Sequence, residues 1–160
     1  MDSAIAALEV ARRKVGVADH LVTQTFPLVK DPKLLASALQ NVSEAVDAGI
    51  EALLRHEHEA KRLDTVGDDS AARLANFERH VVPAARIPKE FVTFVSELRE
   101  TVKEHKESSV EFVRKERLVI CDGDYGKVRT LTQGHLRRQV VRAKAFVALL
   151  EEKVRGNGDA

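Results

Sequence analysis

An apolar stripe with the helical period constrains this sequence more than any other feature. It begins after Asp31-Pro32 and continues as far as Leu54. Its members recur at steps of three and four residues, so an α-helix would place all of them on one face. The stripe predicts a long amphipathic helix that is buried against other helices. It consists of Leu35, Leu39, Val42, Val46, Ile50 and Leu53.

The composition is typical of one helical domain in a reducing compartment. A chain of 160 residues buries about 70% of its unfolded surface and needs no disulfide or metal to fold. Its 26 basic and 25 acidic residues nearly cancel, so the overall charge predicts no partner. A single cysteine, Cys121, excludes an internal disulfide. With no secretion signal and no apolar run of membrane-spanning length, we expect a cytoplasmic protein without a membrane partner.

Prolines and capping residues divide the first half of the chain into helices. The first helix is predicted over residues 3–25 and should end before Pro27, which has no amide N–H. Asp31 is expected to cap the second helix, with Pro32 at its first position. The short connection between them makes the two helices antiparallel neighbours.

The second half is predicted to add three helices and a short extended segment. Helix three begins at a cap in 68–70 and ends at Pro83 or Pro88, helix four covers 88–107, and Thr132 caps the last helix. No internal repeat is evident in the sequence. Residues 1–155 are therefore expected to form one domain, followed by a disordered tail at 156–160.

Residues 108–131 depart from the helical period. An apolar run at 118–121 is followed by a glycine-containing turn at 122–126 and by alternating apolar and polar residues at 128–131. This pattern predicts a small β-hairpin or an extended loop. The predicted fold is thus all-α, an antiparallel bundle of five helices with a short β-hairpin or extended loop before the last helix.

No pattern in the sequence predicts a metal site or a cofactor. His56 and His58 would project about 200° apart on a helix, so they cannot hold one ion together. Cys121 lies beside Asp122, and a neighbouring carboxylate disfavours the reactive thiolate. We therefore expect neither a metal nor a cofactor.

One weak catalytic pattern is present. Small HEPN-type nucleotide-binding and ribonuclease domains place an arginine a few residues before a histidine. The arginine holds the phosphate, and the histidine imidazole transfers a proton. Arg129 and His135, separated by five residues, are the best match because they lie at the start of a predicted helix. Arg13 with His20 and Arg73 with His80 have similar spacing, so the pattern has little specificity.

Local charge is a stronger signal than any catalytic pattern. Between Arg114 and Lys144 the chain has nine basic and three acidic residues, a net +6, while the rest carries −5. Such an excess predicts a surface for phosphate groups or an acidic partner. The predicted anion-binding residues are Arg114, Lys115, Arg117, Arg129, Arg137, Arg138 and Arg142.

Two segments resemble landmarks of a small archaeal family of helical proteins. They are residues 26–35, FPLVKDPKLL, and residues 109–121, SVEFVRKERLVIC. The resemblance covers nearly the whole chain and implies a helical, cytoplasmic protein. Since the family has no assigned activity, it implies no catalytic residue.

The sequence favours a non-catalytic binding module over an enzyme. Its basic surface would bind an anionic partner, either a nucleic acid or an acidic protein. A HEPN-type ribonuclease or nucleotide-binding domain and a structural subunit of a protein complex remain as alternatives. An apolar helix face would also permit a homo-oligomer.

Overall fold

A computed structural model describes residues 2–122 and 127–156. In this part of the chain, five helices enclose the core and a three-stranded antiparallel sheet precedes the last helix. The prediction of a mostly helical fold with five helices is confirmed, but the extended segment is a sheet rather than a two-stranded hairpin. The helices are α1 (Asp2–His20), α2 (Lys33–Glu59), α3 (Ser70–Asn76), α4 (Lys89–Glu107) and α5 (Gln133–Glu151), and the strands are β1 (Val110–Arg114), β2 (Arg117–Cys121) and β3 (Val128–Leu131).

Helix α2 is the centre of the fold and packs against the other four helices. All six residues of the predicted stripe are buried. A second row of small residues, Ala38, Ala45, Gly49 and Ala52, is buried as well. These residues allow close packing: a Cβ added at Gly49 would lie 3.0 Å from the Leu150 Cδ1 atom on α5.

The first helix does not end before Pro27, and that prediction is wrong. Helix α1 continues through a π-helical turn, Leu21–Thr25, into an α-helical turn, Phe26–Val29. The π turn pairs the Phe26 N–H with the Leu21 carbonyl. In a π-helix, residue i+5 donates to residue i, so Pro27 stands where the donor to Val22 would be. The Val22 carbonyl therefore has no backbone donor at the position where Pro27 stands.

The end of α1 is bonded directly to the start of α5. The Gln133 side-chain amide donates a hydrogen bond to the Val22 carbonyl at 3.0 Å. This bond replaces the one that Pro27 cannot make. A buried carbonyl without a partner would cost about 1–3 kcal/mol, so the bond helps to determine where α5 begins.

The same kind of helix end occurs a second time. Helix α3 continues through a π turn at Phe77–Val81 and an α turn at Val82–Ala85. Both extended helices end in a basic residue with left-handed backbone, Lys30 at φ 57° and Arg86 at φ 56°. A proline follows two residues later in each case. The pairs Pro27 and Pro83, Lys30 and Arg86, and Pro32 and Pro88 are each 56 positions apart, so the connections after α1 and after α3 share one local pattern.

The predicted helix caps are confirmed. The Asp31 carboxylate accepts a hydrogen bond from the Lys33 N–H at 3.0 Å, and Asp69 accepts one from Ala72 at 2.8 Å. Thr132 caps α5 by accepting from the His135 N–H at 3.1 Å. Each bond provides an acceptor for a first-turn N–H group that has none within its helix.

The sheet has the strand order β1-β2-β3, with each neighbouring pair antiparallel. Its inner face carries Leu118, Ile120 and Leu131, all buried in the core. The sequence patterns above do not predict strand β1. Most of its residues are exposed, and the turn after it contains no glycine. Residues 123–126 of the predicted turn and 157–160 of the predicted tail lie outside the described residues. Among the described helices, none has both the length and the hydropathy of a membrane span.

A substitution at Phe146 tests how much the aromatic part of the core contributes to stability. Its ring is fully buried, with the ring centroids of Phe77, Phe91 and Phe94 at 6.1, 5.8 and 6.4 Å. We expect Phe146→Ala to lower the free energy of unfolding by about 3–5 kcal/mol, measured by urea denaturation. Phe112→Ala, at an exposed position on β1, is the control and should cost about 1 kcal/mol or less. Equal losses of stability in the two variants would contradict this assignment of the core.

Candidate anion-binding surface

The tip of the β1–β2 hairpin carries three of the predicted cations. Arg114 lies opposite Arg117 in the strand register, and Lys115 in the turn between them has φ 58°. All three residues are exposed. Like charges placed opposite each other destabilise a hairpin, so this turn is not optimised for stability alone.

A groove of about 650 Å³ separates the hairpin tip from the start of α5. Lys115, Glu116 and Arg117 form part of one wall, and Thr132, Gln133 and Gly134 form part of the other. The Glu116 carboxylate lies 3.7 Å from the Lys30 ammonium group. The bond between Gln133 and Val22 holds this end of α5 in place. Because the first N–H groups of a helix have no acceptor within it, the start of α5 favours a negative charge in the groove.

Helix α5 brings further cations to the same region. Arg137, Arg138 and Arg142 line a shallow depression together with the exposed Val141. The Arg138 side chain extends back toward the start of the helix, where a Cβ added at Gly134 would lie 3.6 Å from its Nη1 atom. Arg138 therefore links the depression on α5 to the groove.

Five of the seven predicted residues form a continuous set that we call the basic surface. All five are exposed, and none makes an ion pair with any residue in the described ranges. The groove at the start of α5 lies between the members from the hairpin and those from the helix. The basic surface consists of Arg114, Lys115, Arg117, Arg137 and Arg138.

The structure separates Arg129 and Arg142 from this set. Arg129 lies on the inner face of the sheet and donates to both carboxylate oxygens of Glu104 on α4. It shares that face with Leu131 because alternate residues of a strand face the same side. Arg129 is therefore not a member of the basic surface, and its role in anion binding stays a prediction. Arg142 pairs with Glu97 at 3.5 Å, but both side chains are more than half exposed, so the pair is weak.

His135 is half-buried beside the basic surface. Its Nε2 atom lies 3.2 Å from the side-chain nitrogen of Gln139, and its Nδ1 atom is enclosed without a partner. Burial lowers the pKa of His135, and the charges of Arg129, Arg138 and Arg142 lower it further. Because an amide nitrogen only donates, this arrangement makes Nε2 of the imidazole the acceptor.

The arrangement around Arg129 and His135 offers little for catalysis. A phosphate-binding arginine must be free to meet its substrate, and Arg129 is engaged by Glu104. An acid–base histidine must reach a reacting group, but one nitrogen of His135 is enclosed and the other faces Gln139. Within residues 2–122 and 127–156, no three His, Cys, Asp or Glu side chains are grouped to hold a metal ion.

Comparison with known proteins assigns no function. No protein-family model matches the chain, and neither a curated protein nor a solved structure matches it. The resemblance to an archaeal helical family stays a prediction.

Sequence reasoning missed two residues of this region. Phe112 is exposed on β1, two positions before Arg114, and Gln133 holds the start of α5. The apolar residues of 110–113 next to Arg114 could have indicated β1. No local signal could have found the role of Gln133, because its acceptor lies 111 positions away in the sequence.

The pKa of His135 predicts how stability depends on pH. The unfolded chain takes up a proton near the ordinary value of 6.5, but the folded chain resists protonation until a lower pH. Stability should therefore be complete above about pH 6.5 and fall as the pH drops through the folded pKa. In His135→Gln this loss should be smaller, as measured by urea denaturation at several pH values between about 7.5 and 5. His80→Gln, at an exposed position, is the control and should keep the wild-type profile; an unchanged profile in His135→Gln would contradict the prediction.

Proposed function

We propose that this protein is a non-catalytic binding module whose basic surface binds the phosphate backbone of a nucleic acid. The observation that supports this proposal is the gathering of five exposed cations near one groove, none of them ion-paired within residues 2–122 and 127–156. In a chain whose net charge is only +1, that gathering is a local excess. It creates a positive field that attracts polyanions.

The residue types favour phosphate as the ligand. Four of the five cations are arginines, whose planar guanidinium groups can donate two parallel hydrogen bonds to a phosphate. Thr132, Gln133 and Gly134 at the start of α5 line the same groove, where the helix dipole favours an anion.

Paired substitutions test which cations bind phosphate. The first variant combines Arg114→Ala with Arg117→Ala, and the second combines Arg137→Ala with Arg138→Ala. Each should weaken binding of labelled RNA by tenfold or more at low salt. Each should also reduce the salt-dependence slope by about one for every phosphate that the removed side chains would have neutralised. Fluorescence anisotropy over a series of salt concentrations measures both quantities.

Arg79→Ala with Lys89→Ala is the matched control. It removes the same charge from two exposed residues outside the basic surface, Arg79 in the π turn Phe77–Val81 and Lys89 at the start of α4. This variant should bind within about twofold of wild type. Equal losses of affinity in all three variants would mean that binding depends on overall charge, and the proposed surface would be wrong. If polyglutamate competes as well as RNA does, the partner is an acidic protein rather than a nucleic acid.

The same samples also test the two alternative functions, a ribonuclease and a structural subunit. A HEPN-type ribonuclease would cleave the RNA, and Arg129→Ala or His135→Ala would abolish that cleavage. A structural subunit or homo-oligomer would show a stable assembly by light scattering without any affinity for RNA.

A further inference from the structure

The outer face of the sheet is exposed and carries an aromatic ring. Phe112 and Val128 are 45% and 59% exposed there, on the face opposite to Leu118, Ile120 and Leu131. Together with neighbouring residues they form a groove of about 520 Å³. Alternate residues of each strand, which share this face, supply the lining: Phe112 and Arg114 from β1, Arg117 and Val119 from β2, and Val128 and Thr130 from β3, with Lys115 at the turn.

Phe112 differs from the other phenylalanines. All six lie in the described part of the chain, and the other five are buried or half-buried within the core. In the strand register Phe112 is opposite Val119, which is opposite Thr130 on the next strand. In this row the ring has the apolar Val119 beside it, and the Thr130 hydroxyl group lies at the far end of the row.

The charges around this groove favour one kind of occupant. Arg114, Lys115 and Arg117 line it, and no carboxylate among the described residues does. An apolar partner would leave these three cations without counter-charges, and a duplex would hide its base faces from the ring. A single strand offers both an unstacked base and an adjacent phosphate.

We propose that the outer face of the sheet binds single-stranded nucleic acid, with a base stacked on Phe112 and phosphates held by Arg114, Lys115 and Arg117. This inference rests on the proposed function and specifies its ligand class. It predicts that the protein distinguishes single strands from duplexes through one ring, while the cations contribute to binding of both.

Phe112 variants test the stacking interaction. The probes are a labelled oligouridylate of about 12 nucleotides, within the range of known site sizes, and an RNA duplex of the same length. Phe112→Ala and Phe112→Leu should each weaken binding of the single strand by about tenfold. Phe112→Tyr keeps a ring and should bind within about twofold of wild type, and binding of the duplex should be unchanged in all three.

Val113→Ala is the matched control. Val113 is the next residue on β1 and is exposed to a similar extent, but it belongs to the opposite face of the strand. It should bind both probes as wild type does. Circular dichroism and the urea midpoint of each variant establish that the fold is retained.

The outcomes separate this inference from the proposed function. If Phe112→Ala binds the single strand as wild type does while the arginine pairs lose affinity, stacking is overturned and the proposed function stands. Equal losses of affinity for single strand and duplex in Phe112→Leu would also overturn stacking. If wild type binds neither probe, both proposals fail.

Discussion

The burial of helix α2 is the constraint on which the rest of the structure depends. Its large apolar residues recur with the helical period, and a second row of alanines and a glycine lets neighbouring helices approach closely. An element buried on more than one side requires partners on each of those sides. The chain supplies them as α1, α3, α4 and α5. The contacts of Phe146 with Phe77, Phe91 and Phe94 join α5 to α4 and to the π turn after α3.

The basic surface follows from how the chain accommodates one proline. The π turn before Pro27 leaves the Val22 carbonyl without a donor, and Gln133 supplies one. That bond sets the start of α5 beside the end of α1, and the groove beside the hairpin tip opens at this point. A local backbone defect in one helix therefore helps to position the surface that we assign to binding. An equivalent π turn comes before Pro83, so this backbone feature is not an isolated irregularity.

Much of the candidate site could be predicted from the sequence, and the reasons for the exceptions are physical. The excess of positive charge between Arg114 and Lys144 is a property of composition, so it was visible without a structure. Which of these cations form ion pairs depends on the tertiary structure. Glu104 engages Arg129 from a helix 25 positions earlier, whereas Arg138 has no such partner among the residues that the structure describes. The exposure of Phe112 was hidden for a related reason, since its strand was not recognised and a phenylalanine is by default a core residue.

The sequence by itself determined the five helices, three of their caps and the location of the cationic segment. These depend on periodicity and on side chains that bond within a few residues of themselves, so local order is sufficient to specify them. Only the tertiary structure decided that α1 continues past Pro27, that β1 exists, and that the β1–β2 hairpin and α5 share a groove. Each of these depends on groups that are distant in the chain and become neighbours only in the folded structure. For this reason the charge could be read from the sequence, but the surface that presents it could not.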